Sequence, residues 1–321
     1  MENKKKVIEI IVPCYNEGEC VRLFYDAIKK EFEENIANYS YRIFFIDDGS
    51  KDNTLDEIKK IVELEDEGVI KYTSFSRNFG KESALYIGFA QSTGDLVVPM
   101  DADLQHPPRL LHEMVAAIES GYDCAAARRV SRKGEGIVRS FFSSSFYHII
   151  NALTSVKMVP GSTDYRMMTR MVVDAIVSFS ERDRFTKGIY SWIGFKTKWI
   201  DYHNVERAVG KTKWSFRGLI HYATSGYFSF ATRPLRIILY LGVFTTLIAV
   251  IYAIYFAICT LMDAERIRNG YTTVLVAVTF FGGIITTLLG VIGEYLARIY
   301  MEVKQRPIYL VRETNVEENE E

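Results

Sequence analysis

Two long runs without a charged residue set the strongest limit on how this chain can fold. Residues 237–262 and 271–293 contain no Asp, Glu, Lys or Arg, and a connection of eight residues joins them. A helix needs about 20 apolar residues to cross a bilayer, so each run is long enough to span one. Basic residues flank the pair on its outer ends: Arg233, Arg236, Arg298, Lys304 and Arg306. Because positive charge favours the cytosolic side of a membrane, we predict that both ends of the pair are cytosolic and that the connection lies on the other side. The alternative is a buried helical hairpin in a soluble protein.

The N-terminal part of the chain alternates between two kinds of segment. Short apolar runs typical of buried strands are separated by stretches with apolar residues at helical spacing. The predicted strands are 7–13, 41–46, 69–74 and 96–101, and the predicted helices are 20–32, 54–64 and 82–92. Such alternation predicts an α/β fold with a Rossmann-like, mostly parallel sheet. The chain has no Gly-x-Gly-x-x-Gly after the first strand and no Gly-Lys-Ser/Thr loop, which argues against dinucleotide oxidoreductases and P-loop enzymes.

Polar residues follow each of the four predicted strands. They are Asn16 and Glu17, Asp47 and Asp48, Arg77 and Asn78, and Asp101 and Asp103. Parallel sheets bind ligands in the crevice beyond the carboxyl ends of their strands, so these residues are expected to meet in one place. A single acidic strand end is ordinary turn chemistry, but four in succession at one edge indicate a ligand site.

The fourth strand end carries a candidate metal site. In extended chain, Asp101 and Asp103 point to the same face, with the carbonyl of Gln105 behind them. Oxygen ligands of this kind suit Mg²⁺ or Mn²⁺, usually shared with the phosphates of a substrate. The alternative is a pair of solvated acids in a loop.

The pattern changes after Asp123. Residues 124–127 are predicted to form a short strand that ends in basic residues, and a polar turn over 161–168 leads into another. Residues 140–156 are rich in Phe, Tyr and Ile, which predicts a helix in the core or, preferably, in a membrane interface. The basic, glycine-containing segment 206–214 is either a loop that closes over an anion or a solvated loop.

Composition excludes several classes of function. With a net charge of −1, the chain has no overall positive potential that would attract nucleic acid. The four cysteines form no C-x-x-C pair, which predicts buried free thiols in a reducing cytosol, and the five histidines lack metal-ligand spacing.

Glu294 is expected to pair with Arg298 at the membrane interface. The acidic segment 313–321 is expected to be frayed.

Several segments together resemble a known family. They are Pro13-Cys14-Tyr15-Asn16-Glu17, Asp47-Asp48-Gly49-Ser50, Arg77-Asn78-Phe79-Gly80-Lys81, Asp101-Ala102-Asp103-Leu104-Gln105-His106-Pro107 and the loop from Arg207 to Lys213. In this order they resemble glycosyltransferase family 2, and more narrowly the polyprenyl-phosphate glycosyltransferases, the group of dolichyl-phosphate mannose synthase and the bactoprenol glucosyltransferases. The resemblance covers nearly the whole chain. It implies a GT-A fold and an inverting, metal-dependent transfer of a sugar from a nucleotide-sugar to a lipid phosphate.

The resemblance also implies roles for individual residues. The donor would be bound by Pro13, Tyr15, Glu17, Asp47, Lys81 and Ala102. Mg²⁺ or Mn²⁺ would be held on the diphosphate by Asp101, Asp103 and Gln105. The acceptor phosphate would be bound by Arg128, Arg139 and Ser143, with Arg207 and Lys213 on a mobile loop. Asp164 matches a position often proposed as a base, but a phosphate monoester has a second pKa of about 6 and needs no base near pH 7. We therefore expect Asp164 to orient the sugar or the arginines.

The same resemblance sets expectations for the whole protein. It implies a catalytic domain over 1–213 in the cytosol, an amphipathic interface segment over 214–234, two transmembrane helices within 235–299 and a cytosolic tail over 300–321. The location would be the inner (plasma) membrane, with a homotetramer as the assembly. The Gln-x-x-Arg-Trp motif of processive synthases is absent, which predicts one sugar per lipid. UDP-glucose and undecaprenyl phosphate are the default substrates. The alternatives are another lipid acceptor, such as diacylglycerol, and a catalytically silent sugar-nucleotide binder.

Overall fold

The computed structural model describes residues 5–131, 157–179, 181–182, 184–203, 233–262 and 271–316. The chain divides into two compact units. The sheet unit comprises Met1–Asn151, Val156–Ser229 and Pro307–Glu321, and the helical unit comprises Ala152–Ser155 and Phe230–Arg306.

The sheet unit is an α/β fold of the GT-A type. The strands described are β1 (Val7–Cys14), β2 (Ser40–Asp47), β3 (Ile70–Phe75), β4 (Leu96–Pro99), β5 (Cys124–Ser131), β6 (Ser162–Thr169), β7 (Thr197–His203) and β8 (Val311–Thr314). Over the described ranges they form one sheet in the order β7-β5-β6-β4-β1-β2-β3-β8. The pairs β1–β2, β1–β4, β2–β3 and β5–β7 are parallel, whereas β6 is antiparallel to both neighbours and β8 is antiparallel to β3. The predicted mostly parallel sheet is confirmed.

Six helices are described in the sheet unit. They are α1 (Gly18–Asn35), α2 (Thr54–Val62), α3 (Lys81–Gln91), α4 (Leu110–Glu119), α5 (Arg170–Val177) and α6 (Thr186–Trp192). β1 is buried on both faces: Ile8, Ile10 and Val12 join the same buried cluster as Phe24 and Ile28 of α1, and Ile11 on the other face is also fully buried. On α3, a Cβ at Gly88 would lie 2.3 Å from Ile11 of β1, so this close helix–strand packing requires glycine.

The predicted elements are present, with shifted ends. β4 ends at Pro99, two residues before Asp101, because the chain turns there and does not stay extended as predicted. β5 continues to Ser131, beyond the predicted end at residue 127. The segment predicted as a polar turn over 161–168 is already strand from Ser162. The helices α4 and α5 were not predicted from the sequence.

The C-terminal segment corrects one prediction. Glu313 was expected to be frayed, but it lies in β8, opposite Ser74 of β3. Its carboxylate is 2.6 Å from Lys59, and Asn315 accepts a bond from the backbone N–H of Tyr72 at 2.6 Å. Pairing with an edge strand satisfies backbone groups that would otherwise be left to water, which explains why this short strand is ordered.

The helical unit contains α7 (Arg233–Met262) and α8 (Tyr271–Val303). They have 30 and 33 residues, so they are about 45 and 50 Å long, and each uncharged run lies within one helix. Among the described residues, the helical segment Phe280–Val303 is long and apolar enough to cross a membrane. The predicted pair is present: Arg298 Nη2 lies 3.1 Å from Glu294 Oε1.

Candidate active site

The first part of the site lies where β1 and β2 end side by side. Cys14 is in register with Asp47, and the backbone N–H of Asp48 donates to the Cys14 carbonyl at 2.8 Å. Pro13 is the next residue inward, and Tyr15 and Glu17 follow directly. The structure therefore brings together the four residues predicted to bind the nucleoside: Pro13, Tyr15, Glu17 and Asp47.

Backbone contacts fix this strand end. Glu17 N–H donates to Thr54 Oγ1 at 2.8 Å, and Asn16 takes a left-handed backbone with φ 53°. The carboxylate of Asp47 accepts from Ser50 N–H at 3.0 Å and from the Ser74 hydroxyl at 2.7 Å. A carboxylate has about four acceptor positions, so Asp47 keeps capacity for a ligand N–H.

The neighbouring Asp48 positions the start of α3. Its two carboxylate oxygens accept from Phe79 N–H at 2.6 Å and Gly80 N–H at 2.9 Å. Burial raises the pKa of Asp48 to about 6, although these two donors act in the opposite direction. Because Lys81 is the first residue of α3, Asp48 determines where the Lys81 side chain begins.

Register places the second part of the site at the same edge of the sheet. Met168 of β6 is paired with Val97 of β4 on one side and with Cys124 of β5 on the other. Four residues further toward the carboxyl edge lie Asp101 and Asp164, whereas Arg128 of β5, beyond a register irregularity, is paired with Ser162 of β6. Neighbouring strands are about 4.8 Å apart, so residues on β4, β5 and β6 fall within about 10 Å of each other.

Lys81 connects two of these acids. Its Nζ lies 2.6 Å from Asp101 Oδ1 and 3.1 Å from Asp164 Oδ2. Burial alone would lower the pKa of Lys81, but Asp101 and Asp164 outweigh it and raise the pKa above its usual value. Burial would raise the pKa of both carboxyls, yet the Lys81 ammonium lowers the pKa of Asp101 and holds that of Asp164 well below its usual range. Both acids are therefore charged near neutral pH.

The residues after Asp101 form a turn. Leu104 has φ 58°, and Gln105 N–H donates to Asp103 Oδ1 at 3.1 Å. This contradicts the extended geometry from which a shared face for Asp101 and Asp103, with the Gln105 carbonyl behind them, was predicted. Asp103 and the neighbouring Ala102 are both buried. In the described part of the chain, no cluster of three or more His, Cys, Asp or Glu side chains could hold a metal by itself.

His106 anchors this turn. It stacks on Tyr165 at 5.0 Å between ring centroids, and its Nδ1 accepts from Asp101 N–H at 3.4 Å. Burial lowers the pKa of His106, in keeping with a neutral ring whose Nδ1 accepts. The Tyr165 hydroxyl donates to the Pro107 carbonyl at 3.1 Å, which ties the turn to β6.

A second polar layer behind Lys81 was not predicted. Arg166 lies on β6 with its guanidinium 3.7 Å above the Tyr190 ring, and its positive charge helps to lower the pKa of Asp164. Glu82 accepts from the backbone N–H of Thr186 at 3.0 Å and from its hydroxyl, which connects α3 to α6. These residues come from three separate segments, so no local sequence pattern joins them.

Arg128, predicted to bind the acceptor phosphate, contacts a carboxylate. Its Nε and Nη2 donate to the two oxygens of Asp201 on β7 at 2.6 and 2.8 Å. Both side chains are about two-fifths exposed, and bidentate donation by Arg128 lowers the pKa of Asp201. The other predicted residues Arg139, Ser143, Arg207 and Lys213 lie outside the described residues.

The mostly parallel sheet with acidic residues at its carboxyl edge is a GT-A-like α/β fold. Residues 9–177 match the family described as Glycosyl transferase family 2, and the chain belongs to that family. Residues 233–299 match the GtrB C-terminal hairpin, which makes the chain a membrane-associated, bactoprenol glucosyltransferase-like member.

Individual relatives agree with this assignment. The putative glycosyltransferase CsbB of Bacillus subtilis (strain 168) is 45% identical over 98% of this chain and 93% of its own length. The bactoprenol glucosyl transferase of Shigella phage SfX is 38% identical over 95% of this chain and 98% of its own. A solved glucosyl-3-phosphoglycerate synthase from Mycobacterium tuberculosis, in complex with Mn²⁺, UDP-glucose and phosphoglyceric acid, is 18% identical. Its TM-score of 0.45, over 68% of this chain and 76% of that one, is too low to support any inference about ligands.

Proposed function

We propose that this protein transfers one glucose, with inversion, from UDP-glucose to undecaprenyl phosphate at the cytoplasmic face of the plasma membrane. The observation that carries the proposal is the Lys81–Asp101–Asp164 cluster at the carboxyl edge of the sheet, in a family 2 chain with the GtrB hairpin. The printed name of the phage SfX relative supports a bactoprenol acceptor and glucose as the sugar. The transmembrane topology stays a prediction from the uncharged runs and their flanking basic residues, and the domain boundaries and homotetramer stay predictions from the resemblance.

The donor would bind across the ends of β1, β2 and β4. Pro13, Tyr15, Glu17 and Asp47 would hold the nucleoside, and Lys81 and Ala102 would lie near the diphosphate. This assignment is supported by the register of Cys14 with Asp47 and by the acceptor capacity left on the Asp47 carboxylate.

The charges present fit a divalent cation shared with the substrate. Asp101 and Asp164 already hold the positive charge of Lys81, and Asp103 and Gln105 follow in the same turn. Asp101, Asp103 and Gln105 would supply oxygen ligands, and the diphosphate would supply the rest. Mg²⁺ or Mn²⁺ bound there would offset the charge on the departing nucleotide diphosphate.

The nucleophile would be an oxygen of the lipid phosphate. Near pH 7 this phosphate is already mostly a dianion, since its second pKa is about 6. Asp164 is a poor base there, because Lys81 keeps its pKa well below the usual range. Asp164 would therefore orient Lys81 and the sugar. A transfer rate that followed one ionisation above pH 7, together with loss of turnover but not binding in Asp164→Asn, would contradict this role.

The acceptor phosphate would be held by arginines, whose planar forks match phosphate geometry. Arg128 is the described member of this set, together with the predicted Arg139, Ser143, Arg207 and Lys213. These positive charges would offset the repulsion between the lipid phosphate and the donor diphosphate.

A transfer assay tests the function. Membranes containing the protein are incubated with radiolabelled UDP-glucose and undecaprenyl phosphate, and the lipid fraction is counted. We expect label in the lipid, a fall of at least about 100-fold with EDTA, and recovery with excess Mg²⁺ or Mn²⁺. UDP-GlcNAc, UDP-galactose and GDP-mannose in parallel test the sugar.

The same assay separates the alternatives. Label that enters diacylglycerol but not undecaprenyl phosphate would identify a different lipid acceptor. Donor binding without transfer to any lipid would identify a catalytically silent binder. Transfer that is unchanged by EDTA would refute the metal requirement.

The Arg128–Asp201 pair gives a prediction about acceptor affinity. Asp201 occupies the Nε/Nη2 edge of the Arg128 guanidinium, so a phosphate must displace Asp201 to bind that edge. The pair is solvent-exposed and therefore weak, so Asp201→Asn is expected to lower the KM for undecaprenyl phosphate about threefold at unchanged kcat. Asp174→Asn, which removes the partner of Arg170 in an exposed pair on α5, is the matched control. A KM that rises as much as in Arg128→Ala would mean that Asp201 only positions Arg128.

A further inference from the structure

Lys81 occupies the place in the site where positive charge is most strongly favoured. Its ammonium lies 2.6 Å from Asp101, at the turn after β4, and 3.1 Å from Asp164 on β6. Two carboxylates brought this close need a counter-charge, because repulsion between them in a partly buried site is costly. The Asp164 side chain is only 16% exposed, so water screens it poorly.

The lysine is held there by its own segment. Asp48 fixes the two backbone N–H groups immediately before Lys81, and Glu82 on its other side is bound to Thr186. The backbone at Lys81 is therefore anchored on both sides, and the flexible methylene chain is the part free to move. The Lys81 side chain is 37% exposed, which leaves room for the ammonium to swing toward solvent.

We infer that Lys81 is a built-in counter-ion that competes with the divalent cation for Asp101 and keeps the site charge-balanced until donor and metal arrive. A lysine ammonium and a divalent cation on the same Asp101 carboxylate repel each other, so each weakens the binding of the other. When the cation takes Asp101, the ammonium is released within reach of the incoming diphosphate, while Asp164 remains its nearest carboxylate. This inference rests on the proposed function for the presence of a metal, and it predicts that the lysine weakens metal binding in the absence of nucleotide.

Direct metal binding tests the competition. Mn²⁺ affinity of the detergent-purified full chain, without nucleotide or lipid, is measured by electron paramagnetic resonance of free Mn²⁺. Lys81→Gln is expected to bind Mn²⁺ about fivefold more tightly than wild type, the gain available from removing one partly exposed ion-pair competitor. Lys59→Gln is the matched control. Lys59 of α2 lies at the same 2.6 Å from its partner, Glu313 of β8, and is 41% exposed, but this pair is outside the candidate site.

A second measurement uses the wild type alone. Amine-reactive labelling followed by mass spectrometry is expected to modify Lys81 slowly without metal and faster when Mn²⁺ is added, while labelling of Lys59 in the same sample stays constant. This readout holds even if Lys81→Gln does not fold.

Each outcome decides the inference. Tighter Mn²⁺ binding in Lys81→Gln but not in Lys59→Gln supports it, as does Mn²⁺-dependent labelling of Lys81. Equal or weaker binding in Lys81→Gln, including no measurable binding to either protein, overturns it. So does a gain of equal size in Lys59→Gln, or Lys81 labelling that ignores Mn²⁺. Neither measurement uses sugar or lipid, so failure of the transfer assay with Mn²⁺ competition intact would refute the proposed function and leave this inference standing.

Discussion

Asp101→Asn is expected to lower the rate of sugar transfer at least about 100-fold, with the protein still folded. The substitution keeps the shape of the side chain and removes its negative charge. Removing one preorganised electrostatic contact to the departing group typically lowers kcat by about 10² to 10³-fold. Asp101 also shares Lys81 with Asp164, so the variant leaves Lys81 to a single carboxylate and disturbs the charge balance of the site.

The measurement compares kcat for transfer to undecaprenyl phosphate in wild type, Asp101→Asn and Asp103→Asn at saturating Mg²⁺. Asp26→Asn is the control, because Asp26 pairs with Arg22 on the exposed face of α1 and has no contact with the site. We expect losses of similar size for the two aspartates of the turn and none for Asp26. Glycolipid synthesis at the wild-type rate in Asp101→Asn or Asp103→Asn would refute the role assigned to this turn.

The part of the site that could be predicted follows from strand polarity. An apolar run that ends in polar residues identifies a buried parallel strand and the edge where its ligand binds, without any knowledge of neighbours. That is why Asp47 was predicted correctly at the end of β2, and why Asp101 was placed near the end of β4, which stops two residues earlier at Pro99. The positions of the long helices α7 and α8 can be predicted equally well, because the absence of charged residues over more than 20 positions is visible in the local sequence.

The part that could not be predicted depends on contacts between distant segments. The Asp201 partner of Arg128 is 73 residues away, and Asn315, the partner of Tyr72 just after β8, is 243 residues away. Such pairings depend on sheet order, which alternating strands and helices do not specify. The assumption of extended chain at Asp101 failed for a related reason: the stacking of His106 on Tyr165 favours a turn, and Tyr165 comes from β6.

The second large effect concerns stability and lies at the opposite ends of the same strands. Glu9, near the start of β1, is fully buried, and its carboxylate accepts from Thr93 N–H at 2.8 Å and Gly94 N–H at 2.7 Å. Arg42 and Lys71 lie 3.3 and 3.1 Å from it. The approach is so close that a Cβ on Gly94 would be 2.7 Å from the Glu9 Cβ, so residue 94 must be glycine.

Glu9→Ala is expected to destabilise the protein by about 3–5 kcal/mol, because removing one partner of a buried ion pair leaves the others uncompensated. For a unit of this size that corresponds to a fall in Tm of roughly 10 °C. Thermal unfolding in detergent measures it, with Glu34→Ala, which removes the partner of Lys30 in an exposed pair, as the control expected to change stability by less than about 1 kcal/mol. At temperatures where Glu9→Ala is folded, its kcat should equal that of wild type, because Glu9 lies at the amino ends of the strands and the proposed active site lies at their carboxyl ends. An unchanged Tm would show that Arg42 and Lys71 are satisfied without Glu9, and a lower kcat in the folded variant would show that the two ends of the sheet are coupled.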